Sequence, residues 1–186
     1  MVITGIYSGN TPPKISKIES MSAIIRLFWQ ICRFQVGPES VPASSVLLCA
    51  TGLTYFILNL AVWLWAGPDT LLEASFKLIL VTAVWLGIVW AALLFKGKAA
   101  RLSQCVCGLL GVNIVLLLIS VPIRFLIDSV TAGSEVMFLL NLTLLAVLIW
   151  GIFVEGFIYH RALDISFQLG ALMALSITVA LLQFLA

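Results

Sequence analysis

Long apolar runs with little binary alternation dominate the chain. A helix rising 1.5 Å per residue needs roughly 20 mostly apolar residues to cross about 30 Å of hydrocarbon. Five runs reach that length or come close to it: Ser45–Ala66, Leu78–Phe95, Leu102–Ile123, Val136–Ile158 and Ile165–Leu185. Barrel strands would alternate apolar and polar residues at every second position. Leu78-Ile79-Leu80-Val81 and Leu144-Leu145-Ala146-Val147-Leu148-Ile149 do not alternate. Lipid offers no partner to backbone N–H and C=O groups, so these runs are read as helices.

The chain ahead of the first run has a different pattern. Ile24, Leu27, Phe28 and Ile31 share one helical face, and Arg26, Gln30 and Arg33 share another. Residues 21–44 are therefore read as an amphipathic segment on the cytoplasmic face, with Arg26 and Arg33 at the membrane surface near anionic headgroups. The alternative is a helix packed under the bundle with its arginine stems snorkelling. Gly37-Pro38-Glu39-Ser40-Val41-Pro42 breaks the helix and leads into the first span. Residues 1–20 hold Gly5, Gly9, Pro12 and Pro13 and lack the apolar core of a secretory signal. They read as a disordered extension, with Met21 an alternative start. Residues 45–186 form the five-span domain.

Composition agrees with this division. Of 186 residues, 62% are hydrophobic and 10% charged, against about half and about a quarter in soluble domains. A water-soluble fold and intrinsic disorder are both excluded. The fold class is all-α: a polytopic membrane protein, a five-helix transmembrane bundle with an N-terminal amphipathic interfacial helix. Charge orients it. With the N-terminus inside, Lys14, Lys17, Arg26, Arg33, Lys96, Lys98, Arg101 and Arg161 lie inside, and Lys77 and Arg124 outside. This bias predicts a cytoplasmic N-terminus and an outer C-terminus, and the protein is placed in a bacterial inner membrane. Trp63 and Trp65 fall where an outer aromatic belt is expected. Asp164 is expected to cap the fifth span, and Gly156 to help end the fourth.

An ionisable residue inside a span is a functional candidate by default. Glu155 is the foremost one. It reads either as a proton or cation site, with Tyr159 one turn on, or as an interfacial carboxylate paired with Arg161 or an inner-loop lysine. Arg124 and Asp128 have helical ion-pair spacing at the outer end of the third span, just after Pro122. His160, the single histidine, cannot build a multi-histidine metal site and reads as solvated. Asn113, Asn59 and Asn141 are expected to bond to neighbouring helices. Small residues recur every fourth position as Ala83, Gly87 and Ala91, as Ser103, Cys107 and Gly111, and as Ser166, Gly170, Ala174 and Thr178. Such ridges allow close helix approach. The last is the first choice for a helix-packing face toward a partner, with packing inside one bundle the alternative. Cys32, Cys49, Cys105 and Cys107 lie outside the outer loops, so disulfides are not expected.

The sequence contains no Walker A loop, G-x-G-x-x-G, G-x-S-x-G or H-E-x-x-H. It also has no arginine ladder. The outline of an amphipathic cytoplasmic segment followed by five closely spaced spans, N-in and C-out, resembles Yip1-like membrane proteins. The resemblance covers residues 22–186 as architecture. The segment Gly37–Ser44 is similar to the pre-span segment of small uncharacterised bacterial inner-membrane proteins. The Yip1-like resemblance implies a non-enzymatic role in membrane organisation, trafficking or partner assembly.

The expected function is accordingly a non-enzymatic scaffold or assembly factor acting through helix–helix contacts. The alternative is a small carrier or channel subunit with a path near Glu155 and Asn113. No cofactor or metal is expected. The expected partners are the lipid bilayer and another membrane protein or a second copy, with no nucleic acid.

Overall fold

The computed structural model describes residues 17–67, 70–131 and 133–185. Most of the N-terminal extension lies outside these residues. Among them the regular structure is all helical: α1 Lys17–Cys32, α2 Ser45–Ala66, α3 Leu71–Phe95, α4 Leu102–Ser129, α5 Glu135–Leu163 and α6 Phe167–Leu185. Short 3-10 turns stand at Pro38–Ser40 and Ala99–Arg101. Four helices, α2 to α5, are long and apolar enough to cross a membrane. α1 begins at Lys17, ahead of the Met21 boundary.

Local chemistry moves several boundaries beyond the apolar runs. α3 starts at Leu71 rather than Leu78 because Thr70 and Glu73 form a reciprocal capping box. Their two orphan N–H groups are satisfied, so the helix tolerates the polar Ser75 and Lys77 that interrupt the apolar run. α4 continues through Pro122 to Ser129. A proline removes one rung of the ladder, and the chain beyond it stays helical. α5 passes Gly156 without ending.

Asp164 does not cap α6. It takes a left-handed conformation, φ 49°, as the residue that ends α5, and the Ile165 N–H returns to the His160 carbonyl at 3.3 Å. Ser166 does the capping instead, its Oγ accepting from the Leu169 N–H at 3.4 Å. α1 ends in the same manner at Phe34, φ 59°, with the Gln35 N–H bonded to the Gln30 carbonyl at 3.0 Å.

α4 is the hub, touching α1, α2 and α5. Its run Cys105–Val112 is buried throughout. α1 docks on this half of α4 and on α5 rather than lying free on a surface. The Phe28 ring occupies the space over Gly111 that a side chain would fill, and Ile31 and Cys32 are fully buried. The last turn of α1 leaves carbonyls without helical partners. One of them, on Cys32, accepts a hydrogen bond from the Trp150 indole at 3.1 Å. Trp29 meets the same indole edge-on, 6.2 Å between centroids. Arg26 and Arg33 sit on the exposed face. The packed alternative thus describes α1 better than a helix held only by headgroups, because its apolar face finds holes between two helices.

The segment after α1 straps the same end of the bundle. Pro38 lies against Gly108, and Val41 is buried. The Gln104 amide donates to the Val41 carbonyl at 3.2 Å. Glu39 pairs with Arg161, and Lys98 and Arg101 pair with Asp164. These contacts join the strap, the α3–α4 connection and the end of α5 into one charged rim. Burial works to raise the Glu39 carboxyl, but the hydrogen bond and charge of Arg161, helped by Arg101, hold it below its ordinary value.

α5 and α6 make the closest crossing. A Cβ on Gly170 would stand 2.3 Å from the Gly156 carbonyl oxygen, and one on Gly156 would stand 2.6 Å from the Ala171 Cα. The centre of the Gly170–Ala174 ridge is therefore filled by α5 of the same chain. Hydrophobic burial drives little helix association within lipid, so such close contact between small residues carries the pairing.

Gly170→Ala should destabilise the protein by about 1–3 kcal/mol through backbone overlap. Gly87→Ala, where nothing stands within 4 Å, should be neutral or stabilising by up to about 1 kcal/mol. Reversible denaturation in mixed micelles reads both. Glu39→Gln should remove a small acid-sensitive contribution, no more than about 1 kcal/mol for a pair this exposed. That contribution is present above the ordinary carboxylate value of 4.5 and is lost as pH falls through the lower folded value. Stability curves of the two proteins should therefore converge in acid.

Candidate functional site

The buried run of α4 ends at Val112. Past it a cavity of about 380 Å³ lies between α2, α3, α4, α5 and α6. Its size falls in the range of small-molecule sites. Most of the wall is apolar, from side chains such as Leu78, Leu116, Leu148 and Ile177.

Polar groups enter from particular helices. Asn113 is the first residue of α4 beyond the buried run. Its amide donates to the Leu109 carbonyl at 3.1 Å and to Glu155 Oε1 at 2.9 Å. Glu155 projects from α5 and is half-buried, lining the cavity. It does not pair with Arg161, whose partner is Glu39, nor with an inner-loop lysine. The hydrogen bond holds the carboxylate level with Asn113, roughly 16 Å along α4 from its start at 1.5 Å per residue. Along α5 itself, Glu155 stands toward the helix end, where the interfacial reading places it. The side chain instead reaches the middle of the neighbouring helix.

Tyr55 and Asn59 on α2 and Trp85 on α3 also line the cavity. The Tyr55 and Trp85 rings are 6.3 Å apart. Beneath them the Trp85 indole donates to the fully buried Tyr159 hydroxyl at 3.0 Å, which closes this end. Tyr159 therefore supports the floor of the cavity. Toward the other end, Ser120 and Arg124 of α4 and Trp63 of α2 line the cavity.

Arg124 and Asp128 do not form the expected ion pair. Ion pairs join Glu39 to Arg161, and Lys98 and Arg101 to Asp164, at the other end of the bundle. Both Arg124 and Asp128 are exposed, and Arg124 lines the cavity while Asp128 does not. Spacing of four residues permits contact but does not require it, since each charge is solvated at an exposed helix end.

The other candidates disperse. Thr178 is half-buried and reaches the cavity, Gly170 and Ala174 are buried in the bundle, and Ser166 is exposed at the start of α6. Asn59 and Asn141 return their amides to carbonyls of their own helices, Tyr55 and Met137. A carbonyl one turn back satisfies such an amide locally, so only Asn113 makes an interhelical bond. His160 is half-buried and bonds through Nδ1 to the Ile165 carbonyl, with its ring beside Phe157 and Phe167. It closes the α5–α6 turn.

Among the described residues no group of three or more His, Cys, Asp or Glu is placed to hold a metal ion. The cysteines are free. No protein-family model, curated protein or solved structure matches this chain.

Tyr55 and Trp85 were not anticipated as site residues. Trp85 belongs to the buried stripe Leu78, Trp85, Val89 and Leu93 of α3, but burial inside a uniformly apolar helix leaves little sequence pattern.

The Asn113–Glu155 bond yields a stability test. Asn113→Leu should cost about 1–3 kcal/mol, because it strips the carboxyl of its partner. Combining it with Glu155→Leu should recover part of that loss, giving a coupling of about 0.5 kcal/mol or more in a double-mutant cycle. Additive effects would show that the bond contributes nothing.

Proposed function

We propose that the protein is a small non-enzymatic membrane carrier that takes a positively charged group at Glu155. One observation carries this reading: a carboxylate lines a cavity among five helices, with a hydrogen bond from Asn113 and no cationic side chain paired with it. A carboxylate removed from water is stabilised by an opposite charge at its side, and membrane proteins use such groups on substrate and ion pathways. Most of the wall around it is apolar, and the neutral amide of Asn113 fixes the carboxylate without neutralising it.

In this reading α2 to α6 cross the membrane as five spans. The eight-to-two division of Lys and Arg supports a cytoplasmic N-terminus and an outer C-terminus. The cavity would then open toward the outside, and the charged rim would face the cytoplasm of a bacterial inner membrane. The Yip1-like outline fits the same arrangement of an N-terminal helix and five further helices.

A second reading, the scaffold, has its own support. Ala83, Gly87 and Ala91 of α3 all face outward, and nothing occupies the space beside Gly87. A helix of another membrane protein or of a second copy could approach there closely.

Reconstitution separates the two. Liposomes holding the protein should accumulate labelled methylamine above protein-free liposomes. Glu155→Gln should reduce that uptake at least tenfold, while Glu155→Asp retains part of it. Uptake equal to that of empty liposomes would remove the carrier reading and leave the scaffold.

A further inference from the structure

We infer that the cavity takes an elongated zwitterion, with its ammonium end at Glu155 and its anionic end at Arg124. The inference rests on the carrier reading and names the chemical class of its substrate. Among the described residues, Glu155 and Arg124 are the two charged groups that line the cavity. They have opposite signs, and neither has an ion-pair partner. They stand toward opposite ends. Glu155 is tied to Asn113, and Arg124 lies eleven residues further along α4, about 16 Å of helix rise. Helical side chains lean toward the N-terminus of their helix; Asn113 does so onto the Leu109 carbonyl, and the longer Arg124 side chain has the reach to lean further. That leaves a charge separation on the order of 10 Å.

The wall between the two charges suits an alkyl spacer. Leu116 and Leu117 of α4 lie between Asn113 and Arg124 in the same cavity, facing Leu148 and Gly151 of α5. Each charge that leaves water needs a partner at its own end. A simple carboxylate would leave the half-buried Glu155 unanswered, whereas a simple amine would leave the exposed Arg124 to water and forgo the second charge contact that an anionic tail makes there. A guanidinium also recognises a carboxylate or phosphate by bidentate hydrogen bonding. The shared chemistry is therefore ammonium, apolar spacer and anion, whether in a soluble ω-amino acid or in the headgroup of an ethanolamine phospholipid. The long spacing favours the soluble form.

The test is a titration of the full chain in phosphatidylglycerol nanodiscs, read by the fluorescence of Trp63 and Trp85 in the cavity wall. The probes are ω-aminooctanoate, γ-aminobutyrate, octylamine and octanoate. ω-Aminooctanoate should bind at least tenfold tighter than the other three. Arg124→Gln should abolish its advantage over octylamine, and Glu155→Gln its advantage over octanoate, with thermal melts confirming that both variants fold. Displacement of ω-aminooctanoate when ethanolamine phospholipid is added would support the zwitterion and assign it to lipid. Octylamine binding as tightly as ω-aminooctanoate, and depending on Glu155, would overturn the zwitterion while sparing the cation carrier. No Glu155-dependent binding of any probe would overturn both.

Discussion

The structure depends on one helix being enclosed along eight residues near its start and released over the rest of its 28-residue length. Cys105–Val112 of α4 is buried on every side, by α1, by the strap around Pro38 and by α2 and α5. That enclosure needs small residues at the tight points: Gly108 under Pro38 and Gly111 under Phe28. From Asn113 onward, among the described residues, the side chains of α4 are no longer fully buried. Leu118, Phe125 and Leu126 are exposed, and the space between the helices becomes the cavity. The cavity is thus the continuation of the packed core along α4.

The division also explains why one polar pair sits where it does. An amide and a carboxyl in an apolar interior need each other or water. Asn113 is the first residue of α4 past the buried run, so its side chain reaches open space on one side and Glu155 on the other. Placed a turn earlier, the pair would have displaced apolar packing. Placed a turn later, it would have lain further into the opening. The charged rim at the opposite end has other work. Its three ion pairs tie loops together at an exposed surface and fix the strap against α4 and α5.

The helices could be read from the sequence because hydropathy alone demands them: twenty apolar residues in a row have few other outcomes. What they bury could not be read so easily. In a soluble helix the apolar stripe names the inner face, but in lipid both faces are apolar and the stripe disappears. Thus α3 shows nothing in composition to separate buried Trp85 from exposed Trp90. The ends were harder for a different reason. Thr70, Glu73, Asp164 and Ser166 act through hydrogen bonds at specific backbone angles, which apolar counting does not see. Glu155 stood out in the sequence as a charge in a span. Its partner was hidden, because contact between α4 and α5 depends on helix rotation. Arg124 stood out through Asp128, its neighbour in sequence, although its position beside the cavity is the more informative fact.

The seating of α1 constrains the order of assembly. Phe28 rests on Gly111 and the Cys32 carbonyl on Trp150, so the ribosome makes the guest long before its hosts. α2 and α3 must emerge while the apolar face of α1 has neither α4 nor α5 to cover it. The seat exists only once α4 and most of α5 have been synthesised. The earliest helix of the described chain is therefore among the last to settle, and its docking closes a long loop whose entropy must be offset at that late step. Until then, half of the α4 groove stands open, and the nascent protein has a core of quite different shape from the finished one.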